Sequence, residues 1–237
     1  MKNLKLAAVC LSCLTMTGCS ALNFSVEGLI NAPKLTSEQS EIHQALIESV
    51  GSNITLKYPK NGEYRSAYVI ANIDDEPADE AMVFYEYTSN GSEEDGLRVN
   101  ILDKDEDGKW YSVKELAGAG TDIDQVIISP MGSNNQTDVF VGYQNLTNDE
   151  KTMEIYSYTD GDFKRVALDT YSVLEPLDIN NDGYIELITI QRSTNNDTGA
   201  VTAKASMLNM KNDEITRGEN VDMCDNAVSY THLTLPT

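Results

Sequence analysis

The spacing of apolar and polar positions changes character along this chain of 237 residues. Apolar side chains recur at helical spacing over residues 36–51, and the pattern Thr36-x-x-Gln39 is typical of a helix capping box. The sequence therefore predicts one N-terminal helix, which ends at a glycine. From Ile54 onward the apolar residues come in short β-rich runs separated by Asn, Asp and Gly, and this pattern predicts an all-β domain over 52–227.

The β-rich runs repeat three times as a strand, a loop and a second strand. The three pairs are Tyr68–Ile73 with Ala81–Tyr87, Val126–Ser129 with Val139–Tyr143, and Tyr171–Leu177 with Leu187–Gln191. An acidic residue opens each second strand, and these markers are Glu80, Asp138 and Glu186. A hairpin follows each of the first two pairs, Leu97–Leu102 with Lys109–Val113 and Met153–Tyr158 with Phe163–Leu168. The second hairpin turns at Asp160-Gly161, a strong hairpin signal.

Each repeat thus holds about four strands in roughly 50 residues, which is the size of a propeller blade. We therefore predict propeller-like four-stranded blades, in units of about 64–118, 119–169 and 170–220, behind the N-terminal helix. A β-sandwich with hairpins at regular intervals is the alternative. Three blades and a fragment cannot close a ring, so the prediction includes a truncated C-terminus.

The N-terminus has the pattern of an export signal. A positively charged start precedes an apolar stretch, Leu6–Leu14, which is too short to cross a bilayer as a helix. The small residues before Cys19 resemble a lipobox, which implies removal of residues 1–18 and acylation of Cys19. Two kinds of lipid attachment would hold the protein on a bacterial membrane, outside the cytoplasm, with residues 19–35 as a tether. Cleavage at another site, with Cys19 unmodified, is the alternative.

The last residues, 228–237, resemble the translation of a transposase adapter used in sequencing libraries. The natural sequence is therefore expected to end near Ala227, and His232 then has no functional part. His43 is the one other histidine in the chain.

Charge and composition narrow the possible partners. The chain has 38 acidic and 17 basic side chains, a formal charge of −21 and a pI near 4.2. Phosphate binding needs clusters of Lys and Arg, so this composition excludes nucleic acid as a partner. Two histidines leave little material for chemistry based on imidazole.

The third repeat contains a loop with the spacing of a metal site. Oxygen-bearing side chains occupy its positions 1, 3, 5 and 9, and a backbone carbonyl is available at position 7; these residues are Asp178, Asn180, Asp182, Glu186 and, for the carbonyl, Tyr184. Ca²⁺ takes about six to eight oxygen ligands, and Gly183 can supply the unusual torsion of a tight loop. Thr189 stands where an EF-hand requires Glu, so the loop is not an EF-hand. A series of Asx turns without metal is the alternative.

Two other segments share part of this spacing and are weaker metal candidates. The first repeat has Asn72, Asp74, Glu76 and Glu80 at the matching positions, but Pro77 replaces the glycine and cannot adopt positive φ. The first hairpin has Asp103, Asp105 and Asp107 before a glycine, with Tyr111 at position 9, and a turn with solvated carboxylates is favoured there. The second repeat, with Gly132 and Asn134 before its marker, is degenerate.

The loop from Asp178 to Glu186, followed by an apolar strand, resembles the calcium loops of VCBS or FG-GAP-type repeats, which form the blades of integrin-like propellers. The segment 29–227 is also similar to bacterial lipoproteins that carry these repeats. The resemblance implies a propeller fold, bound Ca²⁺ and a location outside the cytoplasm, but no established reaction. It covers the loop pattern alone, because the chain has neither a Phe-Gly nor a Gly-Ala-Pro signature.

These observations favour a lipid-anchored binding or structural protein with a calcium-stabilised β-repeat domain and no catalysis. Its expected partners are the membrane, through the lipid on Cys19, and an unknown extracellular ligand or protein. The alternative is a carbohydrate-active hydrolase that uses paired carboxylates. It is disfavoured because the acidic residues lie in turns, where solvation keeps each pKa ordinary, and because His43 precedes the blades.

Overall fold

A computed structural model of the protein describes residues 35–88, 96–131, 136–145, 150–194, 197, 199–211 and 214–223. The predicted signal, Cys19, the tether as far as residue 34, the loop residues Gly132 and Asn134, and the adapter-like segment 228–237 lie outside these residues. The chain divides into a short unit, 1–38, and a larger one, 39–237, to which nearly all described residues belong.

The described residues form one helix and fourteen strands. The elements are α1 (Ser37–Val50), β1 (Ile54–Leu56), β2 (Tyr68–Ala71), β3 (Glu80–Tyr87), β4 (Leu97–Lys104), β5 (Trp110–Ala117), β6 (Asp122–Ser129), β7 (Asp138–Gln144), β8 (Lys151–Thr159), β9 (Asp162–Tyr171), β10 (Val173–Leu177), β11 (Glu186–Thr194), β12 (Val201–Lys211), β13 (Glu214–Arg217) and β14 (Val221–Met223). The predicted all-β fold behind a single helix is confirmed. In the described part of the chain, no helix has the length and apolar character that a membrane span requires.

The strands form three antiparallel sheets, which are named A (β1–β5), B (β6–β9) and C (β10–β14). In sheet A, β1 and β2 pair with different parts of β3, and in sheet C, β13 and β14 both pair with β12. Each sheet is therefore four strands wide, and its strands follow one another as a meander. This arrangement confirms the predicted four-stranded antiparallel sheets and is consistent both with blades and with the alternative β-sandwich.

The turn chemistry predicted from the sequence is present. Gly51 follows α1 with φ of +85°, and its amide donates to the Ile47 carbonyl at 2.9 Å, which is a common way to end a helix. Asp160 and Gly161 have φ of +55° and +74° between β8 and β9, as a two-residue hairpin turn requires.

Two strand boundaries differ from the prediction. Strand β6 begins at Asp122, four residues before the predicted Val126. Three of its first four residues are polar and a β-bulge interrupts the register, so the sequence did not show this part as an apolar run. Tyr171 closes β9 instead of opening the third repeat, and β10 begins at Val173. The prediction failed there because apolar residues continue across the short connection between the two strands.

Apolar clusters connect the helix and the sheets in succession. One cluster, with Met82, Phe84, Val141 and Tyr156 among its members, lies between sheets A and B. A second joins α1 to the other side of sheet A and includes Ile42, Leu46, Tyr68, Tyr85 and Trp110, and a third joins sheets B and C through Phe140, Met153, Leu187 and Leu208. Sheets A and B are thus covered on both faces, so residues 80–85 of β3 and 138–143 of β7 are all buried.

Candidate functional site

The acidic residue that opens the second strand of each sheet closes the loop before it. Glu80 accepts a hydrogen bond from the Ile73 amide at 2.8 Å, and Glu186 accepts one from the Ile179 amide at 2.9 Å. Asp138 does the same for the Met131 amide at 3.0 Å, and it also accepts a hydrogen bond from Ser157. Each carboxylate reaches back seven residues, so the repeat seen in the sequence corresponds to a repeated hydrogen bond.

The loop of sheet C is organised by its own aspartates. Asp178 accepts hydrogen bonds from the Asp182 amide at 3.1 Å and from the Gly183 amide at 2.9 Å. The Tyr184 amide donates to Asp182 at 2.9 Å. Asn181 and Gly183 have φ of +60° and +89°, and this confirms that a glycine is needed at the predicted position.

Side chains of this loop also converge on one another. The amide nitrogen of Asn180 donates to Asp182 Oδ2 at 2.9 Å and to Glu186 Oε1 at 3.3 Å. Its oxygen accepts a hydrogen bond from the Asp182 backbone amide at 2.9 Å. Three carboxylates and one carboxamide therefore share a single turn, and a hard cation would be held by such oxygen donors once the Asn180 amide rotated.

These carboxylates have no ion pair with a Lys or Arg among the described residues. Within the same residues, no three His, Cys, Asp or Glu side chains are arranged as they would be around a metal ion. The calcium site over Asp178–Glu186 thus stays a prediction.

The first loop lacks the glycine turn, as Pro77 required. Here the Asn72 side chain donates to the Glu76 carbonyl at 2.6 Å, and the Glu76 amide donates to Asp74 at 2.7 Å. These contacts use Asn72 and Asp74 to shape the turn. The loop lines a cleft of about 640 Å³ together with Tyr158 and Asp160 of the β8–β9 hairpin.

Glu80 has the most unusual environment of the predicted metal ligands. It is 3% exposed, and its Oε1 atom has no hydrogen-bond partner among the described residues. Burial raises the pKa of Glu80 to about 7, and the charges of Asp74 and Asp103 contribute to the increase. The structure therefore brings Asp103 of the first hairpin near the first loop, although the sequence presented them as separate candidates.

The rest of the first hairpin is a turn, as predicted. Asp105 accepts hydrogen bonds from the backbone amides of Asp107 at 3.0 Å and Lys109 at 2.8 Å, and Gly108 has φ of +77°. Tyr111 donates to Asp103 at 3.4 Å. Asp105 thus stabilises the reversal of the chain between β4 and β5.

Sequence reasoning missed a buried polar group at Asp124. This residue is the additional one in the β6 bulge and is 1% exposed. Its carboxylate accepts hydrogen bonds from Asn61 at 2.8 Å and Tyr171 at 2.7 Å, and it pairs with Lys151 at 2.8 Å. Burial alone would raise the pKa of Asp124, but these donors outweigh it and hold the pKa below its usual value.

Asp124 lies at the edge of a cavity of about 560 Å³. The cavity is lined by residues 61–64, which follow β1, by 124–129 of β6 and by 172–176 around β10, with Lys151 and Ile185. The sequence contains one signal of the bulge that places Asp124 here. The apolar residue Ile123 is at an odd-numbered position, whereas Val126 and Ile128 are at even-numbered positions, so the period of two is interrupted between them.

Neither a protein-family model nor a curated protein sequence matches this chain.

Proposed function

We propose that this chain is a binding or structural module of a bacterial cell envelope, anchored by a lipid on Cys19 and stabilised by Ca²⁺ in its blade loops, with no catalytic activity. The observation that carries the calcium part of the proposal is the contact among the side chains of Asn180, Asp182 and Glu186 in the exposed loop of sheet C, whose backbone amides Asp178 binds. The resemblance of this loop to VCBS or FG-GAP-type repeats supports the same function.

The electrostatics of the loop favour a cation. Asp178, Asp182 and Glu186 place three carboxylates in one turn, and no described basic side chain pairs with them. Like charges so close repel one another, and a divalent cation removes that repulsion. Asp178, Asn180, Asp182 and Glu186 would bind it through side-chain oxygens and Tyr184 through its carbonyl, and the cation would supply rigidity to the loop.

The geometry favours binding over hydrolysis. A glycosidase needs two accessible carboxyl groups whose pKa values differ. Glu80, whose pKa is raised to about 7, is the carboxyl group most suited to the role of the acid. Its side chain, however, is buried and accepts the Ile73 amide hydrogen bond that closes the loop. A sugar cannot reach it while this loop stays closed.

The test is thermal unfolding of the purified chain with Ca²⁺ and with a chelator. Free Ca²⁺ at one hundred times its Kd stabilises a protein by about 2.7 kcal/mol if Ca²⁺ binds the native state alone. Asp182→Ala should remove this calcium-dependent gain. Asp105→Ala is the matched control: it removes an aspartate from a turn of similar spacing and should lower the Tm in both buffers without removing the difference between them.

An equal Tm of the wild-type protein in the two buffers would contradict the calcium part of the proposal and leave the loop as a series of Asx turns. A calcium-dependent gain that persists in Asp182→Ala would place the cation elsewhere and overturn the assignment of the loop.

A further inference from the structure

The cavity between β6 and β10 has the size of a small-molecule site. Its volume of about 560 Å³ lies within the range of about 300–1,000 Å³ that such pockets have. Apolar side chains of both strands, including Ile127, Val173 and Pro176, form much of its wall. A ligand with an aliphatic segment would therefore find a matching surface there.

Gln125 is a buried polar side chain with no hydrogen-bond partner in the described part of the chain. It is 8% exposed and lines the cavity directly after the bulge at Asp124. The side-chain amide of Asn100 also has no partner, but it is sealed inside sheet A, whereas the amide of Gln125 keeps access to the cavity. The amide of Gln125 is not among the fully buried unpartnered polar atoms, so it is accessible from the cavity and is available to hydrogen-bond with a ligand.

The charges around the cavity are unbalanced. Lys151 is the basic residue of the lining, and its charge is already neutralised by Asp124 at 2.8 Å. Glu63 and Glu175 also line the cavity, and neither pairs with a basic side chain in the described residues. Two negative charges are therefore left for a ligand to compensate.

Tyr64 completes the polar part of the lining. It is half-buried, and burial together with the charge of Glu63 raises the pKa of its phenol. Its ring packs partly against the apolar cluster between sheets A and B, and Glu63 precedes it in the cavity lining. An aromatic face next to a carboxylate is a favourable environment for an ammonium or guanidinium group.

We propose that this cavity binds a small organic cation, an amine or guanidinium compound with an aliphatic stem. Glu63 and Glu175 attract its charged ends, Gln125 accepts a hydrogen bond from it, and the apolar walls of β6 and β10 contact its stem. An anion is repelled by the same two carboxylates. The proposal uses none of the residues of the calcium loop.

The test uses agmatine, which has a guanidinium group, an amine and a four-carbon stem. Binding to the full chain is followed by NMR chemical-shift changes in buffer with a chelator, so that no metal competes. Uncharged 1,4-butanediol has the same stem of four methylene groups, anionic succinate has a shorter stem of two, and both serve as ligand controls. Agmatine should bind and shift residues 61–64, 124–129 and 172–176, and the two controls should bind at least tenfold more weakly.

The protein variants separate this site from the general attraction of a cation to an acidic protein. Glu63→Gln with Glu175→Gln should weaken agmatine binding by about tenfold, since each exposed charge contributes modestly. Glu106→Gln removes one exposed carboxylate in the β4–β5 turn and should leave the Kd unchanged. Asp182→Ala should bind agmatine with the same Kd as the wild type, because residue 182 does not line the cavity. Failure of the calcium assignment and failure of the present proposal therefore give different results.

Three results would overturn the proposal: no agmatine binding, equal affinity for 1,4-butanediol or succinate, or equal binding by the wild type and the double variant. Shifts spread over the whole acidic surface would overturn it as well, because they would show diffuse attraction instead of a site.

Discussion

The contact between Gly142 of β7 and Tyr171 of β9 gives the sharpest test of how the strands of sheet B are held together beside the cavity. A Cβ atom at position 142 would overlap the Tyr171 hydroxyl oxygen and would lie 3.2 Å from Phe140 Cε1. The same hydroxyl donates to the buried carboxylate of Asp124 at 2.7 Å. Gly142→Ala must therefore displace Tyr171 and break this hydrogen bond.

The expected cost follows from two effects. Overpacking a well-filled core costs about 1–3 kcal/mol. Losing a hydrogen bond to a charged group costs about 1.5–3 kcal/mol more. We therefore expect Gly142→Ala to lower the free energy of unfolding by roughly 3–5 kcal/mol. Tyr171→Phe loses the hydrogen bond without any overlap and should cost about 1.5–3 kcal/mol.

The double variant separates these effects. Phe at position 171 has no hydroxyl oxygen, so Gly142→Ala should cost about 1 kcal/mol or less in that background, with the ring contacts as the residual strain. The coupling free energy between the two positions should then be at least about 2 kcal/mol. Urea unfolding of the four proteins, followed by circular dichroism, measures it. If Gly142→Ala costs the same in both backgrounds, the overlap with the hydroxyl is not its cause and the reasoning is refuted.

Two further predictions concern Glu80 and Cys19. The pKa of Glu80 rises from 4.5 to about 7 in the folded state, so its contribution to stability is fully present below about pH 4.5 and is lost as the pH rises through 7. At about 1.4 kcal/mol per pH unit the loss reaches about 3 kcal/mol, so Glu80→Gln should be more stable than the wild type at pH 8 but not at pH 4.5. Urea unfolding at both pH values checks this, and an equal difference at the two would contradict it. Cys19→Ala should release the protein from the membrane fraction or leave its precursor unprocessed, and a variant that fractionates and migrates like the wild type would contradict lipidation.

The fold was predictable because its signals are local. The pair Asp160-Gly161, the alternation along β5 and the helical spacing before Gly51 each act over a few residues. Strands β3 and β7 are buried on both faces, so their sequences are continuous apolar runs, and such runs are easy to recognise. No strand was assigned individually to β1 or to β12, β13 and β14; β1 and β14 have three residues each and carry no periodicity.

The site was predictable only where its residues are close in sequence. The loop from Asp178 to Glu186 could be identified by counting positions, and in the structure the side chains of Asn180, Asp182 and Glu186 contact one another. The proximity of Asp103 to Glu80, and of Lys151 to Asp124, depends on how strands pair and sheets pack, and sequence spacing does not contain that information. The bulge at Asp124 also shifts the register, so simple alternation cannot predict which side chains enter the cavity.

The succession of apolar clusters has a consequence for the way this protein comes apart. Each cluster joins one layer to the next, from α1 to sheet A, from A to B and from B to C. In such a linear series, each layer is stabilised mainly by its contacts with the neighbouring layers, as in repeat proteins. The cooperativity of unfolding therefore weakens toward the ends of the series. Sheet C can therefore detach as a unit while the clusters on both sides of sheet A stay intact, so the molecule can pass through partly folded states.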